Sequence, residues 1–165
     1  EVFSKMFFEG GFREQQVAYP RQVVRILDIL PAAFEQLHRW VYDVEIDLPV
    51  EIVFHVLVAA RKYMVEDLEL HCRREIASTA RTPGGVLGLY ASAYTSCQEE
   101  WAEALTQRLE SFGPPVLASP EVARLPYEAF VALISNADVG VIPESAVLQA
   151  ARTWATLAGK RDEDP

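Results

Sequence analysis

Apolar residues recur at intervals of three and four along most of the chain, which is the spacing that places them on one face of an α-helix. From Pro31 onward, Phe34, Leu37 and Val41 form such a stripe, and this helix should end near Tyr42. Equivalent stripes predict further helices at 50–63, 65–79, 86–97, 101–112, 126–134 and 144–158, with a short helical turn after Ser119. The first eight residues repeat the pattern without a capping residue, so we expect the printed sequence to begin inside a helix of a longer protein.

One segment departs from the helical pattern. Val23–Ile29 is a short run rich in β-branched side chains between Pro20 and Pro31, which favours a β-strand. A single strand cannot satisfy its own backbone N–H and C=O groups, so its partners would lie before this sequence or in another chain. The predicted fold class is therefore mainly α, with an α+β remnant near the N-terminus.

The clearest helix-breaking cluster is Ala80–Gly85, which contains a proline followed by two glycines. We place a domain boundary there, so that one domain spans residues 1–80 and a second, helical one spans 81–165. The pairs of helices on either side should each form an antiparallel hairpin. The helix start after Thr82 could hold an anion, but the glycine pair lacks a lysine and a preceding strand, which favours a linker.

Composition narrows the class of protein. Fifteen basic and 24 acidic residues among 165 give a formal net charge of −9, which repels nucleic-acid backbones and anionic membrane surfaces. No apolar run approaches the roughly 20 residues that a membrane span needs. Cys72 and Cys97 have neither a disulfide-framework nor a zinc-site spacing, so we expect a reducing, cytoplasmic or nuclear compartment.

Catalytic motifs are absent from the sequence: it contains no HExxH, GxSxG, Walker or CxxC pattern. We therefore expect no enzymatic activity, cofactor or metal. His38, His55 and His71 lie on three predicted helices that could converge on a metal, but ordinary boundary histidines are the favoured interpretation. Cys72 adjoins two arginines, which leaves a reactive thiolate open beside the simpler hypothesis of a buried thiol.

Several motifs, taken in order, resemble the second half of a BTB/POZ domain. They run from Val2–Glu14 through the predicted strand to Ala33–Glu35, Trp40–Tyr42 and Val56–Tyr63, and then to Leu68 and His71–Cys72. Residues 84–158 resemble the helical BACK region that follows BTB in many proteins. The resemblance implies a truncated BTB/POZ fold, without its first strands and first helix, followed by BACK hairpins. Apolar residues such as Phe3 and Phe7 would then be exposed in this segment.

The resemblance also implies a function. Many BTB-BACK proteins are substrate adaptors of cullin-3 RING ubiquitin ligases and form homodimers when intact. Phe12 and Glu14 match the hydrophobic-x-Glu motif of cullin-binding BTB domains, and Tyr42 matches an aromatic residue near the cullin surface. An exposed aromatic anchor and an adjacent carboxylate are chemically suited to that contact. The ubiquitination substrate is not indicated, and the alternative is an oligomerisation scaffold without ligase function.

Overall fold

The computed structural model describes residues 25–135 and 144–161. Within those ranges the chain forms seven α-helices and two 3₁₀ helices, and no β-strand. In chain order the α-helices are Pro31–Val41 (α1), Val53–Lys62 (α2), Glu66–Thr79 (α3), Pro83–Thr95 (α4), Glu99–Phe112 (α5), Tyr127–Ser135 (α6) and Glu144–Arg161 (α7). The 3₁₀ helices, Pro114–Ala118 and Pro120–Arg124, lie between α5 and α6. The mainly α prediction is therefore confirmed.

The predicted strand is not formed in the part of it that the structure describes. Residues 25–27 have no regular structure and residues 28–29 form a bend. A strand exists only where a neighbouring strand forms hydrogen bonds with it, and no described residue belongs to such a strand. The first two residues of the prediction, Val23 and Val24, and the expected N-terminal helix lie outside the described ranges.

The first three helices form the N-terminal part of the core. Helices α2 and α3 make the predicted antiparallel hairpin, and α1 packs against α2. Helix α2 begins at Val53, three residues after its predicted start at residue 50. Pro49–Ile52 instead form a turn, in which the Ile52 N–H donates to the Pro49 carbonyl at 3.1 Å. The hairpin buries side chains on both helices, among them Phe54, Leu57, Leu68 and Cys72.

Three helices end in the same C-terminal cap. The residue after each cap position has a left-handed backbone conformation: Asp43 (φ 53°), Met64 (φ 55°) and Cys97 (φ 55°). In each case its N–H and that of the following residue bond back to the last helical turn, as in the pairs Met64–Arg61 (3.2 Å) and Val65–Ala60 (2.9 Å). This is the Schellman motif, which satisfies carbonyls that a helix end otherwise leaves free.

Helix α4 follows α3 after a tight turn rather than a linker. The Thr82 side chain accepts the Gly85 N–H at 3.1 Å, and Pro83 occupies the first helical turn, where its missing N–H costs nothing. Residues 83–85 are thus the start of α4, which corrects the linker interpretation. The cap and the proline override the low helix propensity of two glycines.

The C-terminal helices close the other side of α4. Helices α4 and α5 form the second predicted hairpin, and α7 packs against both 3₁₀ helices. Trp154 of α7 stacks on Phe130 with ring centroids 5.2 Å apart, and its indole Nε1 donates to the Leu125 carbonyl at 2.8 Å. None of the helices in the described ranges is long and apolar enough to cross a bilayer.

Candidate protein-interaction surface

Tyr42 is the one predicted site residue that the structure describes, and it lies exposed at the C-terminal end of α1. Its side chain is 67% exposed, and its ring centroid lies 4.7 Å from that of His38 one turn earlier. Val41 and Val44 beside it are also exposed. We call these three residues, Val41, Tyr42 and Val44, the Tyr42 surface. Contiguous exposed apolar surface marks interaction sites, so this end of α1 is a candidate docking surface.

Local hydrogen bonds hold this surface in place. The Schellman motif ends α1 at Tyr42 and reverses the chain, and two side chains of α1 then fix the connector that follows. The Arg39 Nε donates to the Glu45 carbonyl at 2.8 Å, and the Asp47 N–H donates to the Gln36 Oε1 at 3.0 Å. The connector therefore lies against α1 even though it contains no regular structure.

The other two predicted site residues, Phe12 and Glu14, lie outside the described ranges. Their position relative to Tyr42 therefore stays a prediction. Sequence resemblance identified all three.

A second feature adjoins the Tyr42 surface and was not found from the sequence. An open pocket of about 460 Å³ is lined by Trp40, Asp43, Val44, Glu45, Ile46 and His71. We call it the acidic pocket, because two of its six residues are carboxylates and none is Lys or Arg. The ring centroids of Trp40 and His71 lie 5.1 Å apart with an interplanar angle of 30°. The only sequence signal for this pocket was the repeated occurrence of acidic residues between Asp43 and Glu51. That pattern did not indicate which helix would pack beside them.

A separate groove of about 250 Å³ lies along α4. Its walls come from the turn before α2, from one face of α4, and from the second 3₁₀ helix with the two residues that follow it. Its main apolar residues are Val50, Leu87, Ala91, Leu125 and Pro126. The Ser92 hydroxyl donates to the Glu51 carbonyl at 3.1 Å at its base. This bond joins α4 directly to the turn before α2.

The remaining candidates from the sequence are the three histidines and the two cysteines. No set of three His, Cys, Asp or Glu side chains within residues 25–135 and 144–161 is arranged to hold a metal, so the three histidines do not converge. Burial lowers the pKa of His55, and desolvation raises the pKa of the Cys72 thiol to about 12, which is opposite to what a reactive cysteine needs. Cys97 lies exposed in the turn after α4.

Comparison with known proteins agrees with this architecture. The family model of the BTB/POZ domain matches residues 1–80, and that of BACK, "BTB And C-terminal Kelch", matches residues 86–164. The human and marmoset (Callithrix jacchus) proteins named "BTB/POZ domain-containing protein 3" are each 26% identical to this chain over an alignment that covers 98% of it. The chain spans 30% of the length of each of these proteins. No solved structure gives a significant match. The chain consists of a BTB/POZ segment followed by a BACK segment, and it belongs to the BTB-BACK family of protein-interaction modules.

Proposed function

We propose that this chain is the cullin-docking part of a substrate adaptor for a cullin-3 RING ubiquitin ligase. The observation that carries the proposal is the exposure of Tyr42 at the end of α1, with Val41 and Val44 beside it. Interface anchors are most often Tyr, Trp or Arg side chains that enter a partner pocket. Phe12 and Glu14 supply the second part of the proposed contact through their hydrophobic-x-Glu pattern.

The shape of the Tyr42 surface supports a docking role. A tyrosine has only two side-chain torsions to fix, so it presents a large contact area at low entropic cost. The hydrogen bonds from Arg39 and Gln36 to the connector fix the backbone on which the surface is built. A preformed surface of this kind requires little ordering when a partner binds.

The test is the affinity of the protein for the N-terminal domain of cullin-3, measured by calorimetry. Tyr42→Ala, Phe12→Ala and Glu14→Ala should each weaken binding by about 1 to 3 kcal/mol if these residues are anchors. Tyr127→Ala is the matched control, because Tyr127 is 61% exposed and has one aromatic neighbour, Trp154, as Tyr42 has His38. Unchanged affinity in all three variants, or an equal loss in Tyr127→Ala, would contradict the proposal.

A second candidate function is an oligomerisation scaffold without ligase activity. It is favoured by Leu27, which is 90% exposed in an irregular segment, and by the exposed Leu30 three residues later. No described residue pairs with this segment as a neighbouring strand, and exposed apolar residues on an unpaired segment favour association with another chain. Light scattering of the wild type and of a Leu27→Ser variant separates the two functions: a scaffold role requires wild-type self-association that Leu27→Ser weakens, without any cullin-3 affinity.

A further inference from the structure

The acidic pocket has the composition of a site for one basic side chain. Its lining residues are the aromatic Trp40 and His71, the aliphatic Val44 and Ile46, and the acidic Asp43 and Glu45. Both acidic residues are exposed and neither has an ion pair within 4 Å in the described structure. A carboxylate that forms no ion pair is free to bind a cation from a partner.

The backbone adds to the negative potential of this pocket. Trp40 in the last turn of α1 and Asp43 just after its cap line the pocket, and the C-terminal end of a helix carries a partial negative charge. The nearby Arg39 is held by the Glu45 backbone carbonyl at 2.8 Å and is not a lining residue. His71 is the only lining residue that can become positive.

We infer that the acidic pocket binds an arginine side chain of a partner polypeptide. Arginine fits better than lysine, because a planar guanidinium can stack on an aromatic ring and bond to a carboxylate at the same time. The net charge of −9 of the whole chain also favours approach of a basic segment. Binding of this arginine does not require cullin docking at the adjacent Tyr42 surface.

The geometry of the connector makes the pocket preformed. Asp43 is held in the left-handed conformation by the Schellman motif, and its N–H donates to the Trp40 carbonyl at 3.1 Å. Glu45 is fixed two residues later by the bond from Arg39 to its carbonyl. Both acidic residues are therefore carried by an ordered backbone at the pocket.

The direct test is titration of the 165-residue chain with the capped peptide acetyl-Gly-Arg-Gly-amide, followed by the NMR signals of the tryptophan indole N–H groups. The matched ligand is the same peptide with citrulline, which keeps the shape of arginine but has no charge. We expect saturable binding of the arginine peptide with a Kd of about 1 mM, and at least about fivefold weaker binding of the citrulline peptide. Absence of saturation, or equal affinity for both peptides, would overturn the inference.

Variants locate the site. Asp43→Asn and Glu45→Gln remove one charge each with little change in volume, and asparagine tolerates the left-handed conformation at position 43. Each substitution should weaken binding of the arginine peptide about two- to fivefold, as expected for the loss of an exposed ion pair. Glu103→Gln, on the exposed face of α5, removes the same charge elsewhere and should leave affinity unchanged. An equal loss in Glu103→Gln would mean that net charge alone attracts the peptide and would overturn the inference.

Discussion

At the residue scale, the three left-handed positions are the least expected feature of the chain. Glycine usually occupies the position after a helix cap, because an L-residue there costs about 1 to 2 kcal/mol. Here the positions hold Asp43, Met64 and Cys97. Aspartate tolerates this conformation through local hydrogen bonds, whereas methionine and cysteine gain nothing from it. No sequence pattern marked these residues, since the usual glycine signal is missing.

The first prediction concerns Met64. Its side chain is 60% exposed, so a substitution removes little buried apolar surface. Met64→Gly should raise the free energy of unfolding by about 0.5 to 1 kcal/mol, because relief of strain exceeds the greater flexibility of glycine in the unfolded chain. Met64→Ala is the control, as it removes the side chain but keeps Cβ and should bring no gain. Urea denaturation measures both. A glycine variant that is no more stable than the alanine variant would show that the turn is not strained.

At the element scale, the turn between α3 and α4 depends on close approach of two backbones. A Cβ atom at Gly85 would collide with the Thr79 carbonyl oxygen and would also lie 3.0 Å from the Thr82 Oγ1. The neighbouring Gly84 meets only the side chain of Glu121, whose carboxyl carbon would be 3.2 Å from an added Cβ. The two glycines are adjacent in sequence but have different packing constraints.

The second prediction follows from this difference. Gly85→Ala should lower the free energy of unfolding by about 1 to 3 kcal/mol, because the α4 backbone must move away from α3. Gly84→Ala should be neutral or stabilising by up to about 1 kcal/mol, because the Glu121 side chain can move and alanine favours the helix. Thermal or urea unfolding compares the two variants directly. Equal losses of stability in the two variants would mean that close approach of the α3 and α4 backbones is not the reason these glycines are needed.

An ion-pair network connects the two helices of the first hairpin. The Glu69 Oε1 accepts bonds from the Arg61 Nε at 3.0 Å and the Arg73 Nη2 at 2.9 Å. The hydrogen bonds from Arg73 and then Arg61 lower the pKa of Glu69 below its usual value of 4.5. Because the folded pKa is the lower one, this contribution to stability is present above pH 4.5 and is lost as the pH falls through the folded value.

The third prediction is the pH dependence of Glu69→Gln. At pH 7 the substitution should destabilise the chain by less than about 1 kcal/mol, because the pair is partly exposed and screened by solvent. The difference from the wild type should shrink below pH 4.5, where Glu69 itself becomes protonated. Urea denaturation at several pH values measures it, with Glu103→Gln as a control that has no partner arginine in the described contacts. A difference that does not change with pH would exclude the ionic explanation.

At the scale of the whole molecule, the core is continuous across the predicted domain boundary. One cluster of buried residues includes Phe54 and Leu68 before residue 80 and Leu87 and Leu109 after it. The rings of Phe54 and Trp101 lie 5.3 Å apart, so α2 and α5 meet directly. The division into domains 1–80 and 81–165 stays a prediction, while folding should involve both parts together.

The fourth prediction tests this coupling. Leu87 is fully buried, so Leu87→Ala should lower the free energy of unfolding by about 3 kcal/mol. If the core is one cooperative unit, amide hydrogen exchange should speed up equally in α2, α3 and α5. Leu148→Ala, at an exposed position of α7, should change neither. Retained protection of α2 and α3 in the Leu87 variant would instead show two independent folding units.

The amino-acid sequence alone determined the helices and the interaction-module class. Apolar stripes and breakers fix helices locally, because periodicity of 3.6 residues needs no information from distant parts of the chain. The predicted strand at residues 23–29 could not be settled in this way, since strand formation depends on a partner. Only the tertiary structure showed which residues distant in sequence lie together: His71 of α3 lies beside Trp40 of α1, and Gly85 lies against Thr79. It also showed that Tyr42 is exposed and that Cys72 is buried. Each of these depends on which helix faces which, and a single amphipathic pattern does not specify its neighbour.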